Sequence, residues 1–231
     1  MNHFFQSEIF VLAFTFIVFF GAQWLQQKTK RIVLNPILVS VSIIIAFLSL
    51  TGISYQSYHE GTRVIEFLLK PAVVALGVPL YQQLGRIKKQ AIPILVSQLA
   101  GCIAGVVSVV MIAKLLGASK EVILSLAPKS VTTPIAMEVS RTIGGVPSLT
   151  AAVVIVVGIF GAVFGYSLMK LLKVNSPVAQ GLSMGTAAHG IGTSKSMQIS
   201  EHYGAFSSLG LIANGIFTAA LTPYILKLLP L

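Results

Sequence analysis

The chain has 231 residues, of which 55% are hydrophobic and 10% charged, and its formal net charge is +10. Soluble domains carry about 25% charged residues, so this composition excludes an ordinary soluble protein and indicates an integral membrane protein. The single cysteine, Cys102, excludes an intrachain disulfide bond and a cysteine-based metal cluster. The sequence has no phosphate-binding loop and no HExxH motif. We therefore expect neither a cofactor nor an enzymatic activity.

Apolar stretches long enough to cross a bilayer, which takes about 20 residues, predict six transmembrane helices. They are residues 4–25, 33–52, 64–83, 92–116, 148–172 and 205–229. The first has no basic region before it and no clear cleavage site, so we expect it to be retained rather than removed as a signal peptide. The first three, within residues 1–90, contain few polar groups. We expect them to form a scaffold and the interface of a homo-oligomer, such as a dimer.

Residues 91–231 contain a sequence that nearly repeats itself, once over 101–149 and again over 157–209. The matched residues include Lys114-Leu115-Leu116 with Lys170-Leu171-Leu172, 56 positions apart, and Met137, Ser140 and Gly144 with Met197, Ser200 and Gly204, 60 positions apart. Each copy is an apolar helix followed by a segment too polar and too broken to face lipid, 119–143 or 176–202. Paired broken segments in a repeat indicate a transport site.

The basic residues predict how the chain is oriented, because short basic loops stay on the cytoplasmic side. They follow the first span at Lys28, Lys30 and Arg31, and the third at Arg86, Lys88 and Lys89. This places the N-terminus outside and explains the net charge without nucleic acid. If 119–143 enters the membrane and returns, Lys170 and Lys173 are cytoplasmic, the C-terminus is external and the two copies are inverted. If 119–143 crosses instead, the repeats are parallel.

The first broken segment has the features of an anion site. Pro128 and Pro134 each remove a backbone donor, and a helix is expected to restart near Pro134. The free N–H groups and the positive dipole of that helix end attract an anion, and Lys129 adds a full charge. Hydroxyl groups that could bind the same ligand are those of Ser130, Thr132 and Thr133. The alternative is a proline-rich surface loop.

Within the second broken segment, the polar patch from Gly185 to Lys195 is rich in glycine and hydroxyl groups. Gly190 and Gly192 permit close approach of a ligand to the backbone. His189 could carry a coupled proton or bind a carboxylate, or it could be an ordinary hydrogen-bonding residue. Lys195 reaches either the substrate or the membrane interface. The candidate hydroxyl ligands here are Thr186, Thr193 and Ser194.

Two further residues have two interpretations each. Glu138 lies close to Arg141, so it could form an ion pair at the water boundary or belong to the site. Asn214 lies within the sixth predicted span, where its amide could face the site or bond across helices.

Several strings resemble the LrgB family: Leu126-Ala-Pro-Lys-Ser-Val-Thr-Thr-Pro-Ile-Ala136, Gly158-Ile-Phe-Gly-Ala-Val-Phe-Gly165, Gly185-Thr-Ala-Ala-His-Gly-Ile-Gly-Thr193, Gly204-Ala-Phe-Ser-Ser-Leu209 and Leu50-Thr-Gly-Ile-Ser-Tyr55. The resemblance covers essentially the whole chain and implies a protein of the bacterial cytoplasmic (inner) membrane. It implies one of two functions: transport of small monocarboxylates, or antiholin-like or holin-like control of murein hydrolase export and lysis. It also implies a small LrgA-like membrane partner.

The residues and the resemblance together predict an all-α membrane protein with six spans and two re-entrant or broken hairpins in an inverted repeat. The predicted function is alternating-access, elevator-like transport of a pyruvate-, glycolate- or glycerate-type monocarboxylate. A lysis-control protein would not need two matched polar interruptions, since polar residues within the membrane usually mark a solute path. That protein and an anion channel remain the alternatives.

Overall fold

The computed structural model describes residues 7–29, 34–75, 77–82 and 84–230, and the regular elements in those ranges are all helices. The chain forms two compact units, Met1–Ala75 and Leu76–Leu231. The first unit contains α1 (Glu8–Thr29), α2 (Pro36–Thr51), α3 (Tyr55–Gly61) and α4 (Arg63–Ala75). The second contains α5 (Gly77–Gln82), α6 (Leu84–Lys89), α7 (Ala91–Leu115), α8 (Lys120–Leu126), α9 (Thr133–Ile143), α10 (Pro147–Leu171), α11 (Pro177–Ile199) and α12 (Glu201–Leu228).

Four of the described helices, α1, α7, α10 and α12, are long and apolar enough to cross a bilayer. They correspond to the first, fourth, fifth and sixth predicted spans. The second predicted span forms α2, a shorter helix of 16 residues, and the third forms α4 and α5 on either side of residue 76. The all-helical class is confirmed, and the four long helices are consistent with a multi-pass membrane protein.

The first unit is held together by aromatic packing and one polar contact. The rings of Phe14 and Phe47 lie 4.4 Å apart and join α1 to α2. Thr15 and Tyr58 share a hydrogen bond of 2.8 Å between α1 and α3. A Cβ added at Gly61 would lie 3.2 Å from the Val11 side chain, so α3 approaches α1 closely at its end.

In the second unit, α7 and α12 run in the same direction. Near their starts Ile94 and Phe206 belong to one buried cluster. Farther along, the Cys102 sulfur lies 3.4 Å from the Thr218 hydroxyl. Near their ends the Lys114 ammonium donates to the Pro230 carbonyl. The starts of both helices therefore lie at one end of the unit.

The helix α11 reverses direction at His189, whose φ of 42° and ψ of −134° are not helical. A Cβ added at Gly192 would lie 2.7 Å from the carbonyl oxygen of Met184, whereas residues eight apart in a straight helix are separated by about 12 Å. The two halves, α11a (177–188) and α11b (190–199), therefore lie side by side. We call them the second hairpin.

The direction of α11a relates α7 to α10. It runs parallel to α7, because the Thr186 hydroxyl donates to Gln98 one turn after Leu182 packs in the cluster of Ile94. It runs antiparallel to α10, because Met184 lies against Gly165 and His189 lies against Gly158. The helices α7 and α10, which begin the two copies of the sequence repeat, therefore run in opposite directions.

The first broken segment folds back in a similar way. The Thr150 hydroxyl contacts the Ser125 carbonyl at 2.9 Å and the Ser140 hydroxyl at 2.7 Å, so α8 and α9 lie side by side. Residue Ser130, in the connection 127–132, lies 4.0 Å from a Cβ added at Gly105 in the middle of α7. The pair α8 and α9, which we call the first hairpin, thus returns along α7 as α11a returns along α10.

Candidate functional site

The two broken segments meet at Asn214, a buried residue in the middle of α12. Its amide nitrogen donates to the Ser130 carbonyl at 2.9 Å and to the Thr186 carbonyl at 3.0 Å. Its amide oxygen lies 3.4 Å from the Thr218 hydroxyl. One carboxamide therefore joins the tip of the first hairpin to the second hairpin, which is the bonding across helices that one interpretation of Asn214 predicts.

The first tip is electropositive. The Lys129 side chain is half-buried, and its ammonium donates to the Ser130 hydroxyl at 3.0 Å. Among the described residues it has no carboxylate within ion-pair distance. The helix α9 then begins after Thr132, which makes no side-chain capping bond, with Pro134 in the first turn. The N–H groups of this first turn have no partner within the helix, and the helix dipole adds partial positive charge.

At the second tip, several polar groups form hydrogen bonds within the protein that fix the conformation of the tip. The Nε2 atom of His189 lies 2.9 Å from the Val154 carbonyl, and since a carbonyl only accepts, Nε2 carries the proton. The Thr193 hydroxyl donates to the His189 carbonyl at 2.9 Å and contacts Ser207 at 3.0 Å. A positive φ is unusual for histidine, and such strained backbone is typical of functional sites. Through its Nε2 atom, His189 therefore acts as an ordinary hydrogen-bonding residue.

The glycines of the second hairpin differ in surroundings. Gly192 is packed against Ala188 and the Met184 carbonyl, and Gly185 is packed against the backbone of Ser207 in α12. These two allow helices to approach closely. A Cβ added at Gly190 would meet no atom within 4 Å, so Gly190 is the predicted glycine with open space beside its backbone.

Three of the predicted residues are at least partly exposed and make no described hydrogen bond with Asn214. Ser194 is exposed, and Lys195 is partly exposed without a described hydrogen-bond partner. Glu138 lies 2.5 Å from Arg141, and both side chains are mostly exposed. Glu138 therefore forms the exposed ion pair with Arg141 that the first of its two interpretations predicts.

Sequence reasoning missed Gln98, a buried residue of α7 whose amide oxygen accepts a hydrogen bond from the Thr186 hydroxyl. Thr186 is therefore held by Gln98 through its side chain and by Asn214 through its backbone. The signal was present, because Gln98 is a polar amide within an apolar span, as Asn214 is. Gln98 lies outside both broken segments, to which the sequence prediction of the site was confined.

Relatives of the chain match nearly its whole length. The model of the LrgB-like family matches residues 15–228. The protein YwbG of Bacillus subtilis is 37% identical over 216 residues, covering 94% of this chain and 96% of that protein. The holin-like protein CidB of Staphylococcus aureus is 35% identical, and that of Staphylococcus epidermidis 34%, each over 228 residues and 99% of both chains. No solved structure matches the chain. Together the family match and these relatives show that the chain belongs to the LrgB-like family.

Proposed function

We propose that the chain is a membrane carrier for small monocarboxylates of the pyruvate, glycolate or glycerate type. The observation that carries this proposal is the joining of both broken segments by Asn214, with the Lys129 ammonium at the first of them unpaired by any described carboxylate. Charges within a membrane protein are normally paired. A substrate carboxylate would supply the missing partner.

Each tip has a different role in the proposed site. At the first, Lys129 and the start of α9 neutralise the carboxylate, and the neighbouring hydroxyl groups bind the 2-oxo or 2-hydroxy group. Those hydroxyl groups belong to Ser130, Thr132 and Thr133. At the second, the open space at Gly190 lets the substrate approach the backbone. His189 and Thr193 position that backbone through their bonds to Val154 and Ser207.

We further propose that residues 91–231 form an inverted repeat whose two hairpins re-enter the membrane. The opposite directions of α7 and α10 support this, as does the similar packing of each hairpin along the first helix of its copy. Inverted repeats whose broken segments meet near the midplane support alternating access. The repeat unit would move against the scaffold of residues 1–90 as an elevator, with the homo-oligomer anchoring that scaffold.

The charge distribution supports a cytoplasmic position for the end of the second unit where α7 begins and α10 finishes, because basic loops favour that side. The lysines at this end are Lys88, Lys89, Lys170 and Lys173. In the Cys102→Ser background, Lys170→Cys should react with a membrane-impermeant thiol reagent only from the cytoplasmic side. Lys120→Cys, at the start of α8, should react only from outside. Reaction of Lys170→Cys from outside would contradict the inverted arrangement.

The experiment that tests the proposed function is counterflow in proteoliposomes. Labelled pyruvate and glycolate should accumulate against an excess of the same unlabelled acid inside, and uptake should saturate. A panel of carboxylates identifies the substrate, and parallel vesicles with and without the LrgA-like partner show whether that partner is required. Absence of counterflow for every acid in both sets of vesicles would refute the carrier. Uptake that does not saturate would indicate an anion channel instead.

A second candidate is holin-like control of lysis, which the names of the Staphylococcus relatives favour. A holin-like pore needs helices that oligomerise and open a wide lesion. It should release a large trapped solute, whereas a carrier should not.

A further inference from the structure

A cavity of about 420 Å³ lies at the end of the second unit where α12 ends. Besides the end of α9, it is lined by Lys120 and Leu124 of α8 and by Pro223, Leu226 and Lys227 of α12. Both lysine side chains are exposed. Charged groups of a membrane protein lie where water reaches them, so the mouth of the cavity lies at the water boundary. In the proposed orientation this is the external side, and we call the cavity the outer cavity.

Thr222, next to Pro223, has a hydroxyl group without a hydrogen-bond partner among the described residues. The residue is fully buried, at 0% exposure. Thr193 and Ser208 are similarly buried, and each donates to the carbonyl four residues earlier. A buried hydroxyl without a partner destabilises the state that contains it. Opening of the packing around Thr222 would supply the missing partner, as water or a substrate oxygen.

Thr222 belongs to a polar stripe of α12 that leads to the candidate site. Asn214, Thr218 and Thr222 are four residues apart, so they share one face of the helix at intervals of about 6 Å. All three are buried, and the Asn214 oxygen lies 3.4 Å from the Thr218 hydroxyl. One turn farther along this face, Leu226 lines the outer cavity. The stripe therefore extends from the outer cavity to the amide that holds the tip of the first hairpin.

The first hairpin is attached to α12 mainly by apolar contacts. Leu124 of the hairpin and Leu226 of α12 belong to one buried apolar cluster. Within the described chain, the one hydrogen bond between the hairpin or its tip and α12 is that from Asn214 to Ser130. The base of the hairpin is bonded instead to Thr150 of α10. Separation of the hairpin from α12 would therefore break one described hydrogen bond and leave the base in place.

We propose that the outer cavity is the external entrance for the substrate, and that Thr222 lines the route from this entrance to Asn214 when the first hairpin separates from α12. The proposal rests on the proposed carrier function and adds to it a residue outside both broken segments. In the closed state, which this structure describes, Thr222 is buried and its hydroxyl is unpaired. In the open state that hydroxyl bonds to water or to the carboxylate of the entering substrate.

Thr222→Val tests the role of the hydroxyl, because valine keeps the shape of the side chain without the polar group. It should stabilise the closed state, so the thermal midpoint should rise by about 2–4 °C and counterflow should fall about fivefold to tenfold. Thr222→Ser keeps the hydroxyl and should keep counterflow within about twofold of the parent. Ser40→Ala is the matched control, because Ser40 also has a buried, unpaired hydroxyl but belongs to the first unit. It should leave counterflow unchanged.

Thiol labelling tests the route itself. In the Cys102→Ser background, Thr222→Cys should react with an impermeant reagent added outside during counterflow. Ser208→Cys, equally buried but beyond Asn214 along α12, should not react from that side. If Thr222→Cys transported pyruvate but stayed unreactive, or reacted only from the cytoplasmic side, the external route would be overturned. Counterflow in Thr222→Val equal to that in Ser40→Ala would overturn the role of Thr222. A parent without counterflow would overturn the carrier function, and this proposal with it.

Discussion

Lys129→Met is expected to abolish most carboxylate counterflow while leaving the protein folded. Methionine keeps a long apolar chain but removes the charge that the proposed site offers to the substrate. Removing one partner of a buried charged pair costs about 2–5 kcal/mol, so counterflow efficiency should fall roughly thirtyfold or more. Lys129→Arg keeps the charge on a larger, planar group and should retain part of the activity.

The matched control for this prediction is Lys120→Met. Lys120 begins α8 in the same hairpin, but its side chain is exposed. Its replacement should leave counterflow within about twofold of the parent, since exposed charges contribute little. If Lys129→Met showed the same rate and the same concentration dependence as Lys120→Met, the anion site would have to lie elsewhere.

Gly185→Ala is expected to destabilise the protein more than any other single methyl addition in the second hairpin. The added Cβ would overlap the Ser207 carbonyl oxygen and lie 2.7 Å from the Leu211 nitrogen. Both are backbone atoms of α12, so neither can move aside as a side chain could. Overpacking of this kind costs about 3 kcal/mol or more, which exceeds the helix propensity gained on replacing glycine by alanine. Thermal unfolding of purified protein in detergent would measure the loss.

Gly190→Ala provides the comparison for Gly185→Ala. It is the same chemical change in the same hairpin, but the new methyl group would meet no atom within 4 Å. Its φ is not among the positive values of the chain, so alanine fits its backbone. The thermal midpoint should stay level or rise slightly. Equal losses in the two variants would contradict the close packing of α11a on α12.

The prolines allowed the first hairpin to be anticipated. Pro128 and Pro134 predicted an interruption with a helix restarting near Pro134, and α9 begins at Thr133. The cause is local, because each proline lacks a donor whatever surrounds it. Residue chemistry alone was therefore enough to locate this break, and Lys129 with it.

The turn of the second hairpin was harder to place. The glycines predicted a broken segment, yet the reversal occurs at His189 while Gly185 and Gly192 serve close packing. At this turn His189 is bonded to Val154, 35 residues earlier. A contact over that distance leaves no periodic pattern in a single sequence.

Apolar length was a good guide to the bounds of two long helices. The stretches at α7 and α10 were predicted to within one residue at each end, because each helix is followed by a turn. The stretch 64–83 contains Pro71 and Pro79, and its described residues lie in α4 and α5.

The most direct test of the carrier is counterflow measured in vesicles that also contain a trapped fluorescent dextran. Protein reconstituted with its LrgA-like partner should accumulate labelled pyruvate or glycolate with saturable kinetics and should retain the dextran. The Lys129→Met protein in matched vesicles should retain the dextran without accumulating the acid. Release of dextran at the rate at which the acid equilibrates, with no accumulation, would contradict the carrier and establish a holin-like pore.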